Sequence, residues 1–460
     1  MKFLEILFEK RCNMLNLRDF FNLYCFLCYF VIVFHIMKET REGRRAMSIR
    51  KHKNAVIVML CTVAYFASYF SRKTFAAVMV EMIGKSVIDN TVAGLVGSAL
   101  FVFYGVGQLV SGYLGDRLQP KYLMFAGLIT SALCNIVFPL IQNQYWLIPV
   151  WAINGFAQAL LWPPIVRILA ESLSHERYVT ANLIITFGAH ISTILLYIYA
   201  PFCISFMSYR EVFFTSGIFC IAVGIIFIIA MTLVLRGDSG EKAQANSQNE
   251  LSHDKSTSAW KTLFDSGVLP LLFAIIAMGF MRDGIESWLP TLYSQAFNRD
   301  SEESILVSVV LPIFAIVSVF IVRVIHKTKL FNNESTGALT LFGISAVLCV
   351  PFSILISIDN ATCRIICLLL GAITCACMHS CNFLLISCVP GRFAKTGKSS
   401  TIGGICNACT YIGSAISMYG IAYMSETLGW SLTVVSWIGV LLLGGVASIL
   451  AIKKYTKFIK

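Results

Sequence analysis

From residue 54 onward the chain is a succession of apolar runs of about 20 residues, separated mostly by short polar links. The runs fall at roughly 54–80, 91–114, 121–140, 146–170, 179–201, 212–235, 266–296, 304–325, 336–358, 363–388, 399–424 and 430–452. Each is long enough to cross bilayer hydrocarbon as a helix, and backbone in lipid must satisfy its own hydrogen bonds. The pattern therefore predicts an all-α membrane protein of twelve transmembrane helices. Composition agrees: 57% of the 460 residues are hydrophobic and 13% charged, against roughly 25% charged in soluble domains. A soluble enzyme is set aside on this ground.

One long hydrophilic stretch, Arg236 to Thr262, interrupts the series, and its Ser, Gln, Asn and Lys content reads as a linker. It divides the chain into two six-helix bundles, at 47–235 and 264–460, with the linker at 236–263. The basic residues test this layout. With the loops alternating, the segments on the linker's side hold 25 Lys or Arg from Lys38 onward, and the opposite loops hold Lys85, Arg210, Arg299 and Arg364. The positive-inside rule then makes both bundle termini cytoplasmic. The formal charge of +12 reports orientation, and charge spread this widely gives no nucleic-acid face. The expected place is the plasma or inner cell membrane, as a monomer.

Residues 1–46 stand apart. Phe20 to Met37 is an uncharged apolar run of 18 residues, readable as a thirteenth span, an uncleaved signal-like segment, or sequence upstream of a natural start at Met47. The last is taken first; no small-residue cleavage site follows. Most of the sixteen cysteines lie in apolar spans, where Cys serves as a small hydrophobe. Cys25/Cys28 and Cys406/Cys409 lack a His at zinc spacing, so neither metal nor cofactor is expected. P-loop, H-E-x-x-H and G-x-S-x-G signatures are missing, so the chain does not read as an ATP-driven pump or an enzyme.

The informative residues are those lipid should exclude. A central Arg costs about 2.5–3.5 kcal/mol on insertion scales. Arg72 lies in the first span and Arg282 in the seventh, the first helix of each half, at similar depth. Two guanidiniums facing one cavity would form a clamp for an anion. Arg282 has carboxylates close by, Asp283 beside it and Glu286 four residues on, either of which could neutralise it. Arg72 has none within a turn, and Lys73 adds to its charge. Asp283 and Glu286 are read as coupling or charge-compensating groups.

Polar stripes at helical spacing point to a wet interior: Tyr65, Tyr69 and Arg72; Tyr104, Gln108 and Ser111; Asn407, Tyr411 and Ser414; Thr186, His190, Thr193 and Tyr197. The plainer reading of any one stripe is hydrogen bonding between helices. His190, and more weakly His379, would serve as solute donor or proton carrier.

The link Gly112-Tyr-Leu-Gly-Asp116-Arg117-Leu-Gln-Pro-Lys121 resembles the G-x-L-x-D-R-x-x-x-[RK] motif of the major facilitator superfamily. The resemblance implies that Gly112 allows close helix packing and that Asp116, Arg117 and Lys121 form a conformational gate. Within the superfamily the chain is most similar to the organophosphate–phosphate antiporters. Tyr69-x-x-Arg72-Lys73-x-Phe75-Ala76 resembles their first helix, and Arg282, Gly284, Trp288, Pro290 and Thr291 their seventh. Trp162-Pro163-Pro164 with Arg167, Ala189-His190, and Gly404, Asn407, Tyr411 and Gly413 resemble their fourth, fifth and eleventh.

By that resemblance Arg72 and Arg282 bind phosphate and His190 assists, with Tyr65, Tyr69, Gln108, Trp162, Asn407 and Tyr411 lining the site. The implied activity is secondary transport of a small anionic solute by rocking of the bundles. An organophosphate exchanged for phosphate comes first; a proton-coupled symporter of a sugar or organic acid, or a transporter-like sensor, remains open. Two departures bear on the solute. Gln108 stands where the family usually has Lys, and Asp283 where it usually has Tyr; both make the site less positive.

Overall fold

The computed structural model describes residues 46–235, 263–325, 333–393 and 399–459. The apolar run 20–37 and the linker 236–262 lie outside them. The helices are α1 Ala46–Gly84, α2 Asn90–Arg117, α3 Pro120–Val137, α4 Leu147–Ala159, α5 Trp162–Ser172, α6 His175–Phe206 and α7 Tyr209–Leu235. After the linker come α8 Leu269–Phe297, α9 Ser301–Val307, α10 Val310–Ile325, α11 Glu334–Leu355, α12 Ala361–Asn382, α13 Val389–Gly391 and α14 Ser399–Ile459.

Nine of the described stretches are long and apolar enough to cross a membrane, and the local chemistry explains the difference from twelve. The fourth crossing is α4 plus α5. Pro163 and Pro164 lack the N–H groups that would continue the ladder, so the chain tightens at Leu160 and Leu161 before α5 begins. In α8, Arg282, Asp283 and Glu286 interrupt the apolar run. The eleventh and twelfth crossings are both in α14, joined at Gly429, whose φ of 78° and ψ of 168° only glycine adopts readily. Side-chain caps set other helix starts: Asp89 accepts from the Val92 amide, and Asn333 and Asn360 cap α11 and α12.

The linker leaves from one face of the molecule, here called the linker face; the opposite one is the far face. Within the first half a buried polar network ties α1, α3 and α4. Gln158 Nε2 and Ser71 Oγ each meet Ser131 Oγ at 2.7 Å, Ser131 Oγ donates to Asn154 Oδ1, and Asn135 Nδ2 donates to Ser71 Oγ. Side-chain hydrogen bonds of this kind fix helix positions more sharply than apolar contact does. In the second half α8 and α14 touch backbone to backbone: a Cβ on Gly413 would lie 2.0 Å from the Ile276 carbonyl oxygen, and one on Gly279 2.2 Å from that of Thr410. Only glycine allows this approach.

The halves meet most closely toward the far face. Gly94 of α2 packs on Ala422 and the Met418 carbonyl of α14, and Ser98 Oγ donates to the Ala415 carbonyl at 2.7 Å. Asn90 and Gln295 exchange amide hydrogen bonds at 3.4 and 3.3 Å, and Trp430 Nε1 donates to Gln295 Oε1 at 2.9 Å. Glu426 of α14 accepts from both the amide and the hydroxyl of Thr91, in the first turn of α2. Toward the linker face the inner stripe of α14 loosens. Ser414 is fully buried, Tyr411 and Asn407 are half-buried, and Gly404 is exposed with open space around it.

Candidate functional site

Arg72, Lys73 and Arg282 lie in the middle of the molecule, and each meets a different environment. Arg72 is 8% exposed, and its guanidinium carbon lies 4.4 Å from the Tyr104 ring centre, 5.4 Å from Tyr69 and 5.8 Å from Phe101. Among the described residues no carboxylate forms an ion pair with it. Rings of negative π-face stabilise a desolvated guanidinium by about 0.5–2 kcal/mol each, without neutralising it.

Arg282 is held by its neighbour. Nε donates to Asp283 Oδ1 at 2.9 Å and Nη2 to Asp283 Oδ2 at 2.8 Å, while Nη1 donates to Asn382 Oδ1 at 2.7 Å. Ser414 completes the carboxylate shell by donating to Asp283 Oδ2. Glu286, four residues on, does not take Arg282, although its spacing allowed that. Its carboxylate instead meets Lys73 Nζ of the first half at 3.1 Å, both side chains being 8% exposed. Lys73 therefore does not crowd Arg72. Adjacent helical residues point about 100° apart, and Lys73 turns across the interface to a carboxylate.

The remaining stripes divide in the same way. Tyr411 lies 4.5 Å, ring centre to ring centre, from Tyr104, within electrostatic reach of both arginines. Gln108, one turn on from Tyr104 in α2, has a buried amide nitrogen with no hydrogen-bond partner among the described residues. Tyr65 packs between Tyr69, at 4.9 Å, and Trp162, at 5.1 Å. His190 and His379 meet edge to face at 5.5 Å, one from each half, in the field of Glu286. Tyr197 donates to the Glu286 carbonyl at 3.3 Å. Thr186 and Thr193 simply bond back to carbonyls four residues earlier in α6, the plainer reading of those positions. Asn407 stands a turn below Tyr411, half-buried on the stripe that opens to the linker face.

At Gly112 the packing differs from the expectation. A Cβ on Gly112 would meet nothing within 4 Å, so it is not a close-packing glycine; the chain around it is exposed at the linker face. Arg117 lies over the Tyr113 ring at 4.2 Å, and Lys121 Nζ donates to Thr232 at 3.3 Å. The side chain of Asp116 lies outside the described residues. Arg167 pairs with Glu171 at 2.8 Å and reaches the Leu118 carbonyl at 3.3 Å.

Sequence reading missed Asn382 and the partner of Lys73. Asn382 lies three residues after His379 on one helical face, a signal that was available. The Lys73–Glu286 pairing joins different halves, and no local spacing encodes it.

The sequence profile described as Major Facilitator Superfamily matches residues 61–418. The chain belongs to that superfamily. Among curated relatives, it is 33% identical over 192 residues to a probable hexose phosphate transport protein of Chlamydia muridarum, 42% of each chain. It is 26% identical over 258 residues to the glycerol-3-phosphate transporter of Bacillus subtilis, covering 53% of this chain and 58% of that one. It is also 31% identical over 113 residues to the membrane sensor protein UhpC of Escherichia coli, about a quarter of each. The chain thus spans under two thirds of the length of these relatives. Among solved structures, a bacterial homologue of the lysosomal transporter Spinster aligns with a TM-score of 0.67 at 11% identity, over 88% of this chain and 98% of that one. That likeness concerns the fold alone.

Proposed function

We propose that this multi-pass membrane protein is a secondary active transporter of a small anionic solute, with a phosphate ester as the first candidate and inorganic phosphate as its exchange partner. The observation that carries the reading is the placement of Arg72 and Arg282 in the first helix of each half, both against one stretch of α14: Arg72 lies over Tyr104, which packs on Tyr411, and Arg282 holds Asp283, which accepts from Ser414. A solute oxyanion bound between them would touch both halves at once, which is what a rocking carrier needs. The Lys73–Glu286 pair crosses the same interface. The linker face is read as cytoplasmic and the far face as the closed outer one, in the cell membrane. The units that rock are 47–235 and 264–460.

Two arguments support exchange over free return. An empty site leaves Arg72 desolvated without a counter-anion, an electrostatic barrier to reorientation. The similarity to phosphate-ester transporters points the same way. The likeness to a membrane sensor keeps a second reading in view, in which the same site binds solute and signals. Counterflow in proteoliposomes tests both, across phosphate, glycerol phosphate, hexose phosphate, carboxylates and sugars. Carrier-dependent exchange of a phosphate ester is expected. Tight binding without flux would favour the sensor, and flux of neutral sugars alone would overturn the anion site.

A further inference from the structure

The buried centre holds three cations and two carboxylates, and the pairing is specific. Asp283 occupies two donors of Arg282, Asn382 takes another, and Glu286 takes Lys73. One positive charge, on Arg72, is left without a carboxylate among the described residues. Asp283 is 4% exposed and has accepted from Ser414 as well, so its charge belongs to the resting site and is not shared with bulk water.

We propose that Asp283 determines specificity: as a built-in counter-anion to Arg282 it restricts the site to phosphate esters of net charge −1. The inference rests on the anion-transport reading above. A monoanion bound at Arg72 brings the centre to neutrality. A dianion leaves one uncompensated negative charge in a region of low dielectric, or must displace Asp283 from a bidentate pair to gain a second guanidinium. Phosphodiesters carry one charge at any working pH. Phosphomonoesters carry close to two at pH 7.5 and lose one with a pKa near about 6.

The charged and titratable groups around Asp283 are Arg282 and Glu286 on its own helix, Lys73 from α1, and His379 and Cys375 from α12. Titration of any of them would also move the value for a solute of fixed charge. A charge rule acting on the solute instead separates monoester from diester.

The test is counterflow by the full chain in proteoliposomes, with glycerol 3-phosphate as the monoester and bis-glycerol phosphate as the diester. At pH 7.5 the diester should half-saturate at a concentration at least about tenfold lower than the monoester. Between pH 8 and pH 6 the monoester value should fall about fiftyfold, following its monoanion fraction, while the diester value stays level. Asp283→Asn keeps the side-chain size, removes the charge and frees the Arg282 donors; it should shift preference toward the dianion by about tenfold or more. Should that variant fail to fold, the wild-type pH comparison decides alone. Exchange of both esters with the monoester preferred at pH 8, or parallel pH curves for the two, overturns the charge rule but leaves anion transport standing. Absence of both exchange and binding for both esters overturns the charge rule and the anion site together.

Discussion

The two halves solve the same problem in different ways. Each has a guanidinium buried in the middle of its first helix. In the second half Arg282 is neutralised by a carboxylate next to it, while in the first half Arg72 is surrounded by aromatic rings that leave its charge in place. The difference shows how a desolvated cation can be kept ready for a ligand. A carboxylate offers the larger stabilisation but fills the donors. Rings give less and leave the edge of the guanidinium free for an oxyanion. Under the proposed anion-transport reading, Arg72 is then the group poised for solute, while Arg282 is already engaged by Asp283.

Lys73 tests this contrast most severely, because it has a carboxylate and no ring. Glu286→Gln would leave it buried and unpaired, with an expected loss of about 3–5 kcal/mol. The loss should appear as a lowered unfolding temperature in detergent, largely recovered when Lys73→Met is added. An unchanged single variant would mean that water already screens the pair. Next in size is Arg72→Lys, which keeps the charge but loses the planar donor pair. Exchange of a phosphate ester should fall by about 100-fold with the fold intact. Arg282→Lys should fall less, since Asp283 already holds that fork; equal losses would erase the distinction between the two halves.

A smaller effect is expected at the rings. Tyr104→Leu removes the aromatic face closest to Arg72 and should lower stability by about 1–2 kcal/mol, whereas Tyr104→Phe should retain most of it. Equal losses in both would assign the effect to the Tyr104 hydroxyl and not to its ring. The smallest change lies at the far face. Glu426→Gln weakens the acceptor for the Thr91 amide by about 1 kcal/mol, and amide exchange in the first turn of α2 should quicken about fivefold.

Much of the fold was legible because lipid imposes one strong rule, that backbone polar groups be satisfied within helices. Twelve apolar runs and one polar linker followed directly. Breaks inside crossings were less visible: Pro163 and Pro164 signalled one, while the turn at Gly429 lies where two apolar runs nearly touch. Site partners were the hardest to read. Spacing along α8 favoured Glu286 for Arg282, yet the neighbouring Asp283 reaches it in bidentate geometry and Glu286 finds Lys73 in the other half. Close approach was equally hidden at Gly112, where the helices have already diverged. Local pattern can mark which residues must be paid for in lipid, but the partner is chosen by how whole helices are set against one another.

One feature at the far face reaches beyond its own contacts. The first turn of α2 belongs to the N-terminal half, and its exposed amides are served by two carboxylates, Asp89 from its own half and Glu426 from the other. Parting the halves there strips a helix end of one of its caps. The closed far face thus carries a stabilising contact that no solute supplies, and opening it costs a helix end one of its caps whichever solute is bound.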